Sequence, residues 1–259
     1  MAEVDVAVVG AGIVGLAHAW SAARDGKSVV ILERSAQALG ASVRNFGQIW
    51  PIGQPEGPLC DMALSSRQHW CELARESGIW LDQCGSIHLA RRQDELDVLD
   101  EFCQQPTSQE HGCRLLTPQQ VSAAAAAANP EGLLGGMWSP SEMCVDPREV
   151  LVRLPAWLEE TFGVAVRFGT AVRSISGTTL ETSENTRWRA ERIVVASGND
   201  FRTLFPEVFA KSPLVQCKLQ MLRTQPQADG WRSGPPLAGG LTLRHYASFR
   251  DCAGLPALK

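Results

Sequence analysis

The sequence predicts an α/β fold in two units, each discontinuous in the chain. One is a Rossmann-like nucleotide unit; the other is built on a mixed antiparallel sheet. Three observations predict this. Residues 3–33 read strand, glycine turn, helix, strand, acid. Similar strand and helix pieces return at 146–210. Mixed short strands and helices fill the stretches between and after them.

The first strand is Val4–Val9, an apolar run that stops at Gly10-Ala11-Gly12-Ile13-Val14-Gly15. Gly10 permits the tight turn, Gly12 lets backbone approach a pyrophosphate, and Gly15 lets the helix pack closely on the strand. The helix start then offers free N–H groups and the positive end of its dipole to phosphate. Val29–Leu32 is the second strand, and Glu33 closes it, where a carboxylate accepts hydrogen bonds from ribose hydroxyls. The acid would repel a 2′-phosphate, so the expected ligand is FAD or NAD, not NADP. The competing reading is a glycine turn in a βαβ unit that binds nothing. Three glycines in register with an acid make that the weaker one.

The remaining elements follow in order. Ala41 to Pro58 is a loop rich in Gly, Pro, Asn and Gln. Leu59, Met62, Ala63, Trp70, Leu73 and Ala74 recur on one face and predict a helix over about 57–77, stopped by Gly78. Ile79–Leu81 and Ser86–Ala90 read as a pair of short strands around Cys84-Gly85. Gln93–Gln104 is a polar helix. Thr117-Pro118 opens another, extended by the Ala123–Ala128 run. Leu133–Trp138 is a strand, and Asp146-Pro147 caps a helix to Phe162, ended by Gly163. Alternating strands with turns near Gly177 and Glu184-Asn185 lead to a buried strand ending at Ala196-Ser197-Gly198. A short helix is expected over 200–210, then strands over 214–224 and 239–249. The nucleotide domain is therefore expected over 1–78 and 146–211. The second domain takes 79–145 and 212–259.

The chain has 259 residues and a net charge of −4, with no basic stretch of the kind nucleic acid requires. No apolar run approaches the ~20 residues of a membrane span. The first strand starts at about Val4, leaving no room for a leader, so a cytoplasmic location is expected. None of the eight cysteines has CxxC spacing, so free, mostly buried thiols are expected and a zinc site is not. The five histidines are scattered and suggest no metal ligand set.

The glycine turn with Glu33-Arg34, followed by Ser42-Val43-Arg44-Asn45-Phe46-Gly47-Gln48, resembles the D-amino-acid oxidase group of flavoproteins, which includes glycine and sarcosine oxidases. Asp146-Pro147 and Val195-Ala196-Ser197-Gly198 match that group too. The segment Asn45–Gln48 with Trp50–Pro55 is similar to a subgroup found beside phosphonate-degradation genes. The resemblance implies FAD. It puts Ser42, Arg44, Asn45, Phe46 and Gly47 on a loop under the flavin ring, Arg34 near the adenine end, and the Val172 backbone against adenine. Ala196, Ser197 and Gly198 would close over the ribose and pyrophosphate. It also implies a longer chain, whose further part carries more of the flavin and substrate site. The second domain is accordingly expected to be incomplete: a truncated product, a fragment or a shortened homologue.

Only one glycine fingerprint is present, so the expected reductant is the substrate itself. Flavin chemistry then takes a hydride from carbon beside an unprotonated nitrogen, held about 3–3.5 Å away, and oxygen or another acceptor reoxidises it. An arginine fork suits the acid group of a small amino acid or aminophosphonate. Arg223, Arg244, His245 and Tyr246 are the substrate-site candidates. On a strand, Arg244 and Tyr246 would share one face and His245 the other. For any one of them a solvent-facing or packed role is the competing reading. Two alternatives stay open: an NAD-dependent dehydrogenase, and an inactive nucleotide-binding homologue. Sequence does not fix the oligomeric state.

Overall fold

The computed structural model describes residues 1–218 and 220–258. In chain order they form β1 (Ala2–Val9), α1 (Ile13–Arg24), β2 (Val29–Leu32), β3 (Gln48–Ile49), α2 (Pro58–Ser77), β4 (Leu81–Asp82) and β5 (Ser86–Ala90). Next come α3 (Gln93–Gln104), α4 (Pro106–Glu110), β6 (Arg114–Leu116), α5 (Pro118–Ala124), β7 (Gly135–Ser139) and β8 (Met143–Val145). Then follow α6 (Pro147–Phe162), β9 (Ala165–Arg167), β10 (Val172–Ser176), β11 (Thr179–Thr182), β12 (Arg187–Val195), α7 (Pro206–Ala210), β13 (Leu237–Ala238) and α8 (Leu241–His245). The chain divides into two compact units, 1–46 with 146–223, and 47–145 with 224–259.

The first unit carries a six-stranded sheet in the order β10-β11-β12-β1-β2-β9. β12, β1, β2 and β9 run parallel, and β10 and β11 fold antiparallel onto the β12 side. β2 is fully buried, as a parallel strand between two neighbours should be. α1 buries Gly15, Leu16, Ala19, Trp20 and Ala23, a stripe at helical spacing, and its Trp20 ring lies 6.4 Å from Trp157 of α6. Asp146 caps α6 by accepting the Arg148 amide at 2.8 Å, and Gly163 ends it at φ 69°, as the sequence predicts.

The second unit holds a four-stranded sheet, β13-β5-β7-β6, and a three-stranded one, β3-β8-β4. Its main core joins Val98, Leu99 and Phe102 of α3 to Met137, Leu243, Phe249 and Cys252. Residues 47–78, expected with the nucleotide segments, pack within this unit. Ile52 and Trp50 belong to its core cluster, and Gln48 pairs with Cys144.

Several expectations change. β4 and β5 do not pair with each other. β4 pairs with β8, and β5 with β7 and β13. On α2, Leu73 is buried but Leu59 and Met62 are exposed. The alanine run stops being helical at Ala124, because Ala125 turns extended (φ −137°) and packs with Ala128 in the core, and the Ala127 amide bonds to the Ser233 carbonyl. Packing overrides propensity there. The helix expected over 200–210 covers only 206–210. The Asp200 carboxylate instead accepts the Arg202 and Thr203 amides, closing a local turn. The segment 193–195 is half-buried, not buried.

The C-terminal stretch differs most. Among the described residues of 214–224 there is no strand, and Leu219 lies outside the described residues. Leu214, Val215 and Leu222 are exposed, and a β pattern without a paired neighbour makes no strand. The expected strand over 239–249 is α8 followed by a 3-10 turn at Ala247–Phe249, with β13 just ahead. Thr242 Oγ1 donates to the Gly239 carbonyl at 2.5 Å and starts that helix, burying Leu243.

Candidate functional site

The parallel strands of the first unit end together, and the glycine turn sits at that end. Gly10 follows β1 at φ 107°, and a Cβ there would lie 2.4 Å from the Ala196 carbonyl oxygen, in the turn after β12. A Cβ on Gly15 would lie 2.0 Å from the Gly10 carbonyl oxygen and 3.1 Å from Val8 Cγ1. Both positions therefore exclude any side chain for a stated steric reason. Gly12 is the N-cap of α1, with no side-chain cap bond and no acid in the first helical turn, so nothing in the helix offsets its positive end.

The amides of this turn divide into two groups. Ala11 donates to Glu33 Oε2 at 2.9 Å, and Ile13 donates to Ser42 Oγ at 3.0 Å. Gly12 and Val14 donate to no partner among the described residues. Two unengaged amides at a helix start, on glycine-bared backbone, form a cradle for an anion. Glu33 is half-buried, and its second oxygen accepts the Ser35 amide at 2.9 Å. The acid thus pins the glycine turn as well as closing β2.

The residues around the cradle are placed as follows. Gly169 and Thr170 donate to the carbonyls of Ser35 and Glu33, so the chain entering β10 at Val172 runs beside the acid. The Val172 side chain is buried in the sheet core. Arg34 Nη1 pairs with Asp200 Oδ2 at 2.6 Å. Asp200 is held below the usual carboxylate range first by its Thr203 hydrogen bond and only last by Arg34, because that guanidinium is 55% exposed and water screens it. The loop at 41–44 turns as a 3-10 helix and delivers Ser42 to α1. Arg44, Asn45 and Phe46 are exposed. Gly47, at φ 73°, belongs to the second unit, where its carbonyl accepts the Val145 amide at 2.9 Å. Ala196 and Ser197 border the turn after β12, and Gly198 is exposed.

The substrate-site candidates are not gathered in this way. Arg223 is exposed at the end of the first unit, and Arg244 and His245 are exposed on α8. Tyr246 follows α8 and is half-buried. Its ring packs on Gly53, where a Cβ would approach to 2.7 Å, and lies 6.3 Å from Trp50. The strand alternation expected for these residues does not apply, since they sit on a helix and its cap.

Sequence reasoning missed two polar groups in the second unit. Glu142 is fully buried and accepts the Ile52 amide (3.1 Å), Ser86 Oγ (2.9 Å) and Ser141 Oγ (2.7 Å). His88 is buried between Trp50 and Phe249, at 5.6 and 5.4 Å, and neither ring nitrogen has a partner among the described residues. Burial pushes its pKa down to about 4. Both residues stand in short strands or turns whose neighbours only the fold supplies. All eight cysteines are free, and three are buried, where most were expected to be.

The DAO family of FAD dependent oxidoreductases matches residues 5–250. An opine oxidase subunit of Agrobacterium tumefaciens is 29% identical over 242 residues, covering 87% of this chain and 64% of that protein. Glycine oxidase of Geobacillus kaustophilus is 29% identical over 206 residues, covering 75% and 54%. The crystal structure of that glycine oxidase superposes with a TM-score of 0.67 at 25% identity, over 76% of this chain and 55% of that one. The chain therefore spans less than two-thirds of the length of these relatives. No helix among the described residues is long and apolar enough to cross a membrane.

Proposed function

The chain belongs to the DAO family of FAD-dependent oxidoreductases, and from that premise we propose that it holds FAD along the glycine edge of its first unit and oxidises a C–N bond of a small amino acid or aminophosphonate. The family decides for FAD over NAD, between which Glu33 alone left the choice open. The observation that carries the reading is the pair of unengaged amides, Gly12 and Val14, beside a turn that Glu33 pins at 2.9 Å. These residues fit the cofactor: a diphosphate accepts from the two amides and meets the helix dipole, while Ile13 is already satisfied by Ser42. Glu33 keeps lone pairs for ribose hydroxyls. The Val172 backbone is the adenine contact, and Arg34, fixed by Asp200, flanks it.

Gly10 and Gly15 keep the turn low enough for that approach, and Ala196, Ser197 and Gly198 border it. Ser42, Arg44, Asn45, Phe46 and Gly47 are the flavin-loop contacts. The first unit serves as the FAD-binding domain and the second as the substrate domain. When bound, FAD supplies the hydride acceptor and passes the electrons to oxygen or another acceptor. The chain's part is to orient the amine with its lone pair free and to bind its acid group, for which Arg223, Arg244, His245 and Tyr246 are the candidates.

The test is spectroscopic. Purified protein should carry flavin absorbance near ~450 nm, or gain it on adding FAD. Anaerobic mixing with a panel of amino acids and aminophosphonates should then bleach that band with at least one member. Protein that never takes up FAD refutes the cofactor reading. Stoichiometric FAD that no amine reduces refutes the oxidase reading and leaves an inactive homologue.

A further inference from the structure

Two thiols that the proposed chemistry does not use stand side by side in the second unit. β4 pairs antiparallel with β8, with Asp82 opposite Cys144, and the Gly85 amide returns to the Glu142 carbonyl at 3.0 Å. The chain leaving β4 therefore stays against β8 through residues 83–85. Cys84 lies in that stretch, two residues beyond Asp82, which stands opposite Cys144. Met143 and Val145 are buried on the opposite face, while Cys84 and Cys144 are both half-buried. Each thiol lies near enough to the other to perturb its ionisation.

We propose that Cys84 and Cys144 form a modification site, closed to a disulfide by a peroxide and reopened by a dithiol. One thiol attacks the peroxide oxygen, giving a sulfenic acid and water. The other thiol displaces the hydroxyl as a second water, forming the S–S bond. Two electrons and two protons leave the thiols for each peroxide reduced. A dithiol reverses the step by exchange. The neighbouring thiol makes the second step intramolecular, whereas Cys217 is exposed.

The same surroundings keep the pair reduced at rest. Burial pushes both thiols up, Cys144 to about 12, and Asp82 adds to the effect on each, with Glu142 adding to it on Cys84. The thiolate fraction is then small at neutral pH, so closure is slow and speeds up about tenfold per pH unit. β8 is the central strand of its sheet, pairing with β3 on one side and β4 on the other, so the bridge would clamp that strand to the turn leading into β5. An oxidase that reduces oxygen to peroxide would supply its own oxidant. The test adds peroxide directly, so its failure leaves the flavin reading untouched, and the reverse also holds.

The experiment uses the full chain carrying Cys217→Ser, to prevent cross-linking between molecules. Hydrogen peroxide is added at pH 7, 8 and 9, and non-reducing peptide mapping follows. The expected product is a Cys84–Cys144 peptide pair lighter by two hydrogens, forming faster at higher pH and lost on adding dithiothreitol. The oxidised protein should melt about 4–15 °C higher, as a cross-link closing a loop of this length restricts the unfolded chain. Cys84→Ser should leave Cys144 unpaired and abolish the shift. Cys144→Ser checks the same point from the other side should one variant fold poorly. Peroxide that leaves both cysteines as thiols, or joins either one to a different cysteine, overturns the proposal.

Discussion

Gly15→Ala gives the sharpest test of the glycine cradle. The added Cβ would sit 2.0 Å from the Gly10 carbonyl oxygen, and an ordinary C···O contact is about 3.3 Å. Helix and turn must therefore part by about 1.3 Å, and neither side can yield by rotating a side chain, because the obstacle is backbone. Overpacking of this kind costs about 1–3 kcal/mol. For a chain of this size that is a fall in Tm of about 2–12 °C. The displacement also moves the Gly12 and Val14 amides from the diphosphate. Losing one charge-assisted bond of about 1.5–3 kcal/mol weakens FAD about ten- to a hundredfold. Thermal melts with and without FAD, and a fluorescence titration of FAD release, measure the two effects separately. Gly239→Ala is the control, since nothing lies within 4 Å of a Cβ added there and its φ is ordinary. It should be neutral. A Gly15→Ala protein that melts and binds FAD like the parent would refute the packing argument and the cofactor placement with it.

Three further outcomes follow from the same structure. Glu33→Ala frees the Ala11 and Ser35 amides and removes the ribose acceptor, so FAD binding measured by titration should weaken about tenfold or more, with a smaller change for Glu33→Gln. Glu142→Ala strands the Ile52 amide and two hydroxyls in the core, at about 1–3 kcal/mol for each group left unpaired. Its melt should drop well below that of Glu142→Gln, and equal melts would contradict the network. His88, with its pKa lowered to about 4 by burial against about 6.5 unfolded, takes up protons only on unfolding between those values. Its contribution is present above pH 6.5 and is lost as pH falls toward 4, amounting to about 2 kcal/mol between pH 7 and 5. Denaturant melts of His88→Phe should lack that share of the acid loss; an unchanged pH slope would show that the ring finds a partner in solution.

Sequence patterns read well where a single residue type has a single physical use. Gly10 and Gly15 are needed because backbone oxygens stand where their side chains would be, and Asp146-Pro147 and Gly163 bound α6 by local capping alone. They read poorly where the neighbour decides. Residues 239–249 alternate like a strand, yet among the described residues no partner strand receives them, and Thr242 and Leu243 turn into a short helix. The alanine run has the propensity to stay helical past Ala124, but burial of Ala125 and Ala128 takes precedence. Ser42 reads as a flavin-loop residue in the sequence; its bond to the Ile13 amide is legible only once the loop lies against α1.

Chain order is enough to specify the nucleotide edge, because turn, helix start and closing acid are near one another in the sequence and their chemistry is local. Folding in three dimensions settles the rest: which amides of that edge stay unengaged, that Glu33 holds the turn, and that Glu142, His88 and the Cys84–Cys144 pair meet their surroundings in the second unit. Those facts depend on strand register and burial, which bring together residues far apart in the chain and which no local pattern encodes.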